Sequence, residues 1–314
     1  MRKVIFDCDP GHDDIFAFCL IASHKEAFDL LGCTTVAGNQ TVDKVTDNLC
    51  RVMDYLQLDY PIAKGSSSSM SGNTYVQPQA HGESGMDGPI LPSSNRRIEY
   101  LDAVAWMRET LSQQSEPVTI IATGPLTNVG RLLDESPEIK DKISQISLMG
   151  GSVYSGNITL SAEFNIYVDP IAADKVFRSG IPIVMSGLEV CNETMMMHDE
   201  INLFNREGAA SRLIFELLEF YSQYAKKLNQ PGSPLFDLVP VAHLLKPELF
   251  GSKLYRIEIE TEGLITKGKT VADLRLWSDS SRCNAQVLMT ADRSAVIQLF
   301  LDSVALLDRS LIGG

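Results

Sequence analysis

Paired thiols, clustered basic residues and long apolar runs are all missing from this chain. Its six cysteines (8, 19, 33, 50, 191 and 283) are scattered without a CxxC pair, so they read as reduced and mostly buried. Lys and Arg number 27 against 40 Asp and Glu, a net charge of −13. That deficit excludes a nucleic-acid surface, which needs clustered cations to meet phosphates. No apolar stretch approaches the length of a membrane span, and Val4–Ile5–Phe6 is too short for the apolar region of a signal peptide. The expectation is a cytoplasmic protein, and the charge leaves room for a small neutral substrate or for a cation held by carboxylates.

What is present is an alternation of strand-like and helix-like segments. VIFDC precedes DDIFAFCLIASH, LLGCTTVAG precedes TVDKVTDNLCRVMDYL, and PVTIIATG, ISQISLMGG and IPIVMSG continue the series with helix-length stretches between them. Strands separated by helices predict an α/β fold with a mostly parallel central sheet and helices on both faces. The carboxyl edge of such a sheet is where loops converge on a ligand. Two segments interrupt the pattern: a Ser-, Gly- and Pro-rich stretch at 65–98, expected to be a mobile functional loop, and a helical excursion near 195–232. No repeat or linker divides the chain, which reads as one domain over 1–314.

The chemistry concentrates in DCDPGHDD, where Asp7, Asp9, Asp13 and Asp14 fall within eight residues. Alternation along a strand points Asp7 and Asp9 the same way, Pro10 and Gly11 make a turn, and Asp13 and Asp14 start a helix. Crowded carboxylates raise one another's pKa values unless a cation sits among them. Helix capping alone accounts for fewer acids than are present. A hard divalent cation with oxygen ligands, Ca²⁺ or Mg²⁺, fits better.

A D-x-D pair at a strand end also occurs in aspartyl-phosphate phosphatases, but PGHDD is the wrong continuation for them. DxDPGxDD instead resembles the nucleoside hydrolases of the inosine–uridine-preferring, or pyrimidine ribonucleoside, type. VAGNQT at 36–41, HGESGMDGP at 81–89, ATGPLTN at 122–128, LMGG at 148–151 and GNITLSAEFNIYVDP at 156–170 extend the resemblance, in order, over nearly the whole chain. The resemblance implies an open Rossmann-like fold and a homodimer or homotetramer. It implies Ca²⁺-dependent hydrolysis of the N-glycosidic bond of ribonucleosides to ribose and free base, in salvage or catabolism, with pyrimidines slightly favoured. Asp9, Asp14, Asp237 and the Thr123 carbonyl would hold the metal. Asp9 would also take the proton of the attacking water. Asp13, Asn39, Met149, Asn157, Glu163 and Asn165 would hold the ribose, with ordinary core packing nearly as good a reading for Met149.

The chain departs from the family where a His–Asp pair is usual: here the pair is Phe236–Asp237. A phenyl ring stacks on a nucleobase but cannot protonate it. The base pocket is assigned to His81, Phe236, Tyr221 and Tyr224, with His81 as the leaving-group acid or a tyrosine in its place. A nucleoside- or ribose-binding protein with weak or lost catalysis is the alternative, and a Mg²⁺ phosphatase a weaker third. The other histidines receive structural readings. His12, in the turn, has two readings, a residue that touches the site and, preferred, a solvated turn residue; His24 reads as a helix end, His198 as preceding a helix and His243 as a core or surface residue. Met195–Met197 reads as core packing.

Overall fold

The computed structural model describes residues 1–204, 206–275 and 279–312. In chain order the elements begin β1 (Arg2–Cys8), α1 (His12–Ser23), β2 (Phe28–Thr35), α2 (Val42–Tyr55), β3 (Ile62–Lys64) and α3 (Pro78–His81). They continue α4 (Ala103–Ser112), β4 (Val118–Ala122), α5 (Thr127–Glu135), β5 (Ile143–Met149), α6 (Phe164–Val168), α7 (Pro170–Phe177), β6 (Ile183–Ser186) and α8 (Leu188–Glu193). Then come β7 (Met195–Met197), α9 (Ala209–Lys227), β8 (Gly232–Pro234), α10 (Leu238–Leu245), β9 (Phe250–Tyr255), β10 (Ile257–Ile259), β11 (Thr270–Ala272), β12 (Ala285–Ala291) and α11 (Arg293–Ile312).

Eight strands form one sheet in the order β3-β2-β1-β4-β5-β6-β12-β9. All pairs are parallel except the edge pair β12–β9. After β3 the chain crosses back to lay β4 on the other side of β1. The loops leaving β1 and β4 therefore diverge in opposite directions, and the gap between them is the crevice in which doubly wound sheets bind ligands.

Alternation along β1 sorts its side chains. Val4, Phe6 and Cys8 enter the core shared with α1, α9 and α11, whereas Ile5 enters the core beneath α4, α5 and α7. Asp7 follows Ile5 onto that second face, where Thr34 Oγ1 and Asn128 Nδ2 donate to its Oδ1. The strand ends at Cys8, so Asp9 lies past the pleat and does not share the face of Asp7. The expected pairing of these two acids therefore fails, because alternation holds only within the strand. Helix α1 is buried on every side, packed against α9, α10 and α11. A helix apolar all round is stable only in such a sandwich.

The region near 195–232 is not helical throughout. It opens with β7, which pairs antiparallel with β8 after the long helix α9. Met196 of β7 is buried in the main core, as the packing reading of the three methionines expects. The 65–98 stretch carries the single turn α3 and otherwise irregular chain. Among the described residues no helix is long and apolar enough to cross a membrane.

Candidate active site

A cavity of about 160 Å³ opens at the carboxyl edge beside β1 and β4. Asp9, Asp13, Asn39, His81, Thr123, Met149, Asn157, Glu163, Asn165, Tyr221, Tyr224, Phe236 and Asp237 all line it. Of the residues expected from the sequence, only Asp14 stands behind the wall.

Each acid is placed by local backbone. Asp13 and Asp14 occupy the first turn of α1, where unpaired N–H groups and the helix dipole favour negative charge. Asp14 accepts from the backbone N–H of Gly11 at 2.9 Å and from Thr123 Oγ1 at 2.7 Å. It is thereby tied to both the β1 and β4 loops. Asp9 accepts from the backbone N–H of Asn39 at 2.7 Å. Two glycines cradle its carboxylate. A Cβ on Gly38 would lie 2.1 Å from one oxygen, and a Cβ on Gly124 would lie 2.7 Å from the other. Any larger residue in AGN or TGP would push Asp9 out of place. Asp237 enters from the turn before α10.

Oxygens of Asp13, Asp14 and Asp237 lie within 4.8 Å of one another. The tightest carboxylate group thus contains Asp13, with Asp9 on the adjoining wall. Among the described residues no lysine or arginine lines the cavity. Burial raises the pKa of Asp9, and the Asp14 charge raises it further. Burial does the same to Asp13, Asp14 and Asp237, with Asp13 the strongest charged neighbour of Asp237. Among the described residues no donor faces the buried Asp13 Oδ1, and the Asp13 carboxyl meets that of Asp237. Buried carboxylates with an unpartnered oxygen and no cationic side chain suit a hard divalent cation.

The opposite wall is a polar frame. Glu163 caps α6, accepting from the N–H groups of Asn165, Ile166 and Gly151. Burial nonetheless pushes its pKa up to about 6. Asn165 Nδ2 donates to the carbonyl of Thr123 at 2.7 Å and to that of Met149 at 3.1 Å. That amide fixes the Thr123 carbonyl at the cavity edge. Asn157 Oδ1 accepts from Phe164 N–H, so its amide N–H₂ is the end left for a ligand.

The outer end is aromatic. Tyr221, Tyr224, Ala225 and Leu228 recur at helical spacing along the same face of α9 and its end. Phe236 faces them, half-buried against the cluster that holds Met149 and Cys191. Burial raises the Tyr221 pKa well above the usual range, with Asp13 and Asp237 adding to the rise, so its O–H stays protonated. His81 is pushed far in the other direction by burial and by His12, and is uncharged at neutral pH. An uncharged imidazole still carries one N–H, so His81 keeps a donor for the leaving base.

Several lining residues were not anticipated. Gln77 and Ala80 sit four and one residues before His81, on the turn that presents it, and Gln230 and Pro234 flank the approach to Phe236. Helical spacing from Tyr221 would have found Ala225 and Leu228. His12 is the larger correction. It is fully buried, with its ring stacked on Phe220 and Tyr221, and is not a solvated turn residue. His243 is buried in α10, and His198 follows β7 with its Nε2 on the Gln230 carbonyl.

Comparison with known proteins agrees with this architecture. The sequence model of the inosine-uridine preferring nucleoside hydrolases matches residues 4–298. A pyrimidine-specific ribonucleoside hydrolase, RihA, from Citrobacter koseri is 42% identical over 306 residues, 96% of this chain and 97% of the relative. A protein of the same description from Shewanella woodyi is 42% identical over 307 residues, 96% and 98% of the two chains. Among solved structures, the purine-preferring ribonucleoside hydrolase from Gardnerella vaginalis superposes with a TM-score of 0.91 at 28% identity, covering 98% of this chain and all of its own. The chain belongs to the inosine-uridine preferring nucleoside hydrolase family and is a ribonucleoside hydrolase.

Proposed function

We propose that the cavity hydrolyses the N-glycosidic bond of pyrimidine ribonucleosides in preference to purine ones, using a calcium ion held by the buried acids. The observation that carries the cation is the Asp13 Oδ1 without a donor beside Asp14 and Asp237, with no Lys or Arg in the cavity lining among the described residues. The pyrimidine preference is supported by the two relatives at 42% identity. The purine-preferring structural neighbour at 28% supports the fold and the ribose chemistry and leaves the base to the aromatic end.

Asp14 and Asp237 would ligate the cation with Asp13 or Asp9 and the Thr123 carbonyl, oxygen donors throughout, as calcium prefers. When bound, the cation supplies a Lewis acid that lowers the pKa of water and gathers the ribose diol. The protein does the rest. Asp9, braced by Asn39 and its two glycines, is the carboxylate positioned to receive the proton of the attacking water. Asn39, Asn157, Glu163 and Asn165 orient the sugar, and the carboxylates stabilise positive charge as C1′ becomes oxocarbenium-like. The base lies between Tyr221, Tyr224, His81 and Phe236. Tyr221 O–H is a neutral donor able to stabilise charge on the departing base.

A panel of uridine, cytidine, inosine and p-nitrophenyl riboside, assayed for ribose or nitrophenol with calcium or with chelator, tests this reading. Ribose release from uridine and cytidine ahead of inosine, lost with chelator, is expected. Equal rates with and without chelator would remove the cation from the proposal. Faster inosine turnover would remove the base preference.

A further inference from the structure

Gln230 lines the aromatic end of the cavity, and its carboxamide has no hydrogen bond among the described residues. We propose that Gln230 is a specificity-determining residue that reads the edge of the pyrimidine: its Oε1 accepts from N3–H of uracil while its Nε2 donates to the neighbouring carbonyl oxygen. The proposal rests on the ribonucleoside reading of the cavity.

The end of α9 sets the position of Gln230. Asn229 takes the left-handed conformation, with φ 54°, and its N–H donates to the Lys226 carbonyl at 3.0 Å. The Gln230 N–H donates to the Ala225 carbonyl, also at 3.0 Å. These two bonds make a Schellman motif, and Pro231 follows as a residue that cannot continue the helix. In that motif the residue at the place of Gln230 folds back beside the one at the place of Ala225, and a hydrophobic pair there is usual. Here Ala225 lines the cavity and an amide stands where the hydrophobe would be. The cap gives that amide no partner, so its donor and acceptor are left for what enters the cavity.

The residue is also pinned from a distant part of the chain. His198, just after β7, donates from Nε2 to the Gln230 carbonyl at 3.1 Å. A carbonyl only accepts, so the direction of this bond holds whatever the charge on the ring. Two residues on, Gly232 pairs with Met197 where β8 lies against β7, and a Cβ there would come 2.4 Å from the Met196 carbonyl oxygen. β7 is itself tied down: Met197 N–H donates to Glu200 at 2.8 Å and Arg293 Nε donates to the Met195 carbonyl at 2.9 Å. With both backbone groups of Gln230 engaged, only its side-chain torsions remain free. An amide offers a donor and an acceptor side by side, matched to O4 and N3–H of uracil. Turned over, it matches N3 and the N4 amino group of cytosine, so one residue serves both pyrimidines.

The kcat/KM ratio of uridine to 3-methyluridine, which lacks N3–H, tests this with calcium present. The wild type should favour uridine by about tenfold, the cost of leaving a half-buried acceptor unpaired; a ratio near one overturns the proposal. Gln230→Met keeps the length of the side chain and supplies the hydrophobe that the helix cap favours, so the fold should hold while most of the ratio vanishes. Gln230→Glu keeps an acceptor for N3–H at the same length and should still favour uridine severalfold. A ratio that survives in Gln230→Met, whether because the methyl group merely clashes or because Gln230 is merely structural and slows both substrates equally, overturns the proposal. So does a Gln230→Glu ratio near one. Failure of the wild type to release nitrophenol from p-nitrophenyl riboside, whose leaving group has no N–H to read, would instead bring down the ribonucleoside reading itself.

Discussion

Replacing Asp7 with Asn should make the folded protein progressively more stable than wild type as the pH rises. Asp7 is fully buried, and its Oδ2 has no partner while Oδ1 accepts from Asn128 and Thr34. Burial outweighs those two hydrogen bonds and lifts its pKa from the usual 3.8 to about 6. Between those values the native state holds a proton that the unfolded chain has released, so stability falls with rising pH. A shift of about two units corresponds to about 3 kcal/mol once both states are ionised, of which about 2 develops between pH 4.5 and 7.5. Asn retains the acceptor for Thr34 and Asn128 and cannot ionise. Its amide nitrogen takes the unpartnered place of Oδ2 at a cost that does not vary with pH. Urea unfolding of both proteins at several pH values isolates the titrating part as the change in their difference. A difference that stays constant from pH 4.5 to 7.5 would show that Asp7 is not the strained acid this reasoning requires.

Calcium at a hundredfold excess over its dissociation constant should stabilise the wild type by about 2.7 kcal/mol, raising the thermal midpoint reversibly with chelator. Asp237→Ala should abolish most of that gain, and identical wild-type midpoints with calcium and chelator would contradict the cation site. 2′-Deoxyuridine should be rejected by roughly four orders of magnitude in kcat/KM, because the frame of Asn39, Glu163 and Asn165 leaves polar groups unpaired without the hydroxyl; comparable values for the two sugars would remove the diol from recognition. Phe236→His should raise uridine turnover relative to p-nitrophenyl riboside by up to about a hundredfold, since nitrophenolate leaves without a proton. An unchanged ratio would mean that position 236 only packs against the base.

Much of this was legible in the chain because it depends on local signals. Strand and helix periods alternate, so the parallel sheet and its carboxyl edge follow. Acids crowded at one strand end announce a charged site. What escaped depends on contacts distant in sequence. His12 in PGHDD looks like a polar turn residue until Phe220 and Tyr221, two hundred residues on, cover it. The divergence of Asp7 from Asp9 turns on where β1 stops, a boundary that periodicity places poorly. The glycines of AGN and TGP were visible as motifs. Their reason, the 2.1 and 2.7 Å approaches to Asp9, exists only after β2 and β4 flank β1.

The acids that meet at the crevice also impose an order on the making of the protein. Asp13 and Asp14 emerge from the ribosome early, but Asp237 follows more than two hundred residues later, after β6 and α9. Until then the early acids lack the residue that completes their group, and α1 lacks α9, α10 and α11, three of the elements that bury it. A nascent chain carrying β1 to β5 therefore exposes an apolar helix beside uncompensated charge. Such a fragment depends on rapid C-terminal synthesis or on a chaperone to avoid association. Truncations that remove α10 and α11 should accordingly fail as aggregates rather than as soluble, inactive enzyme.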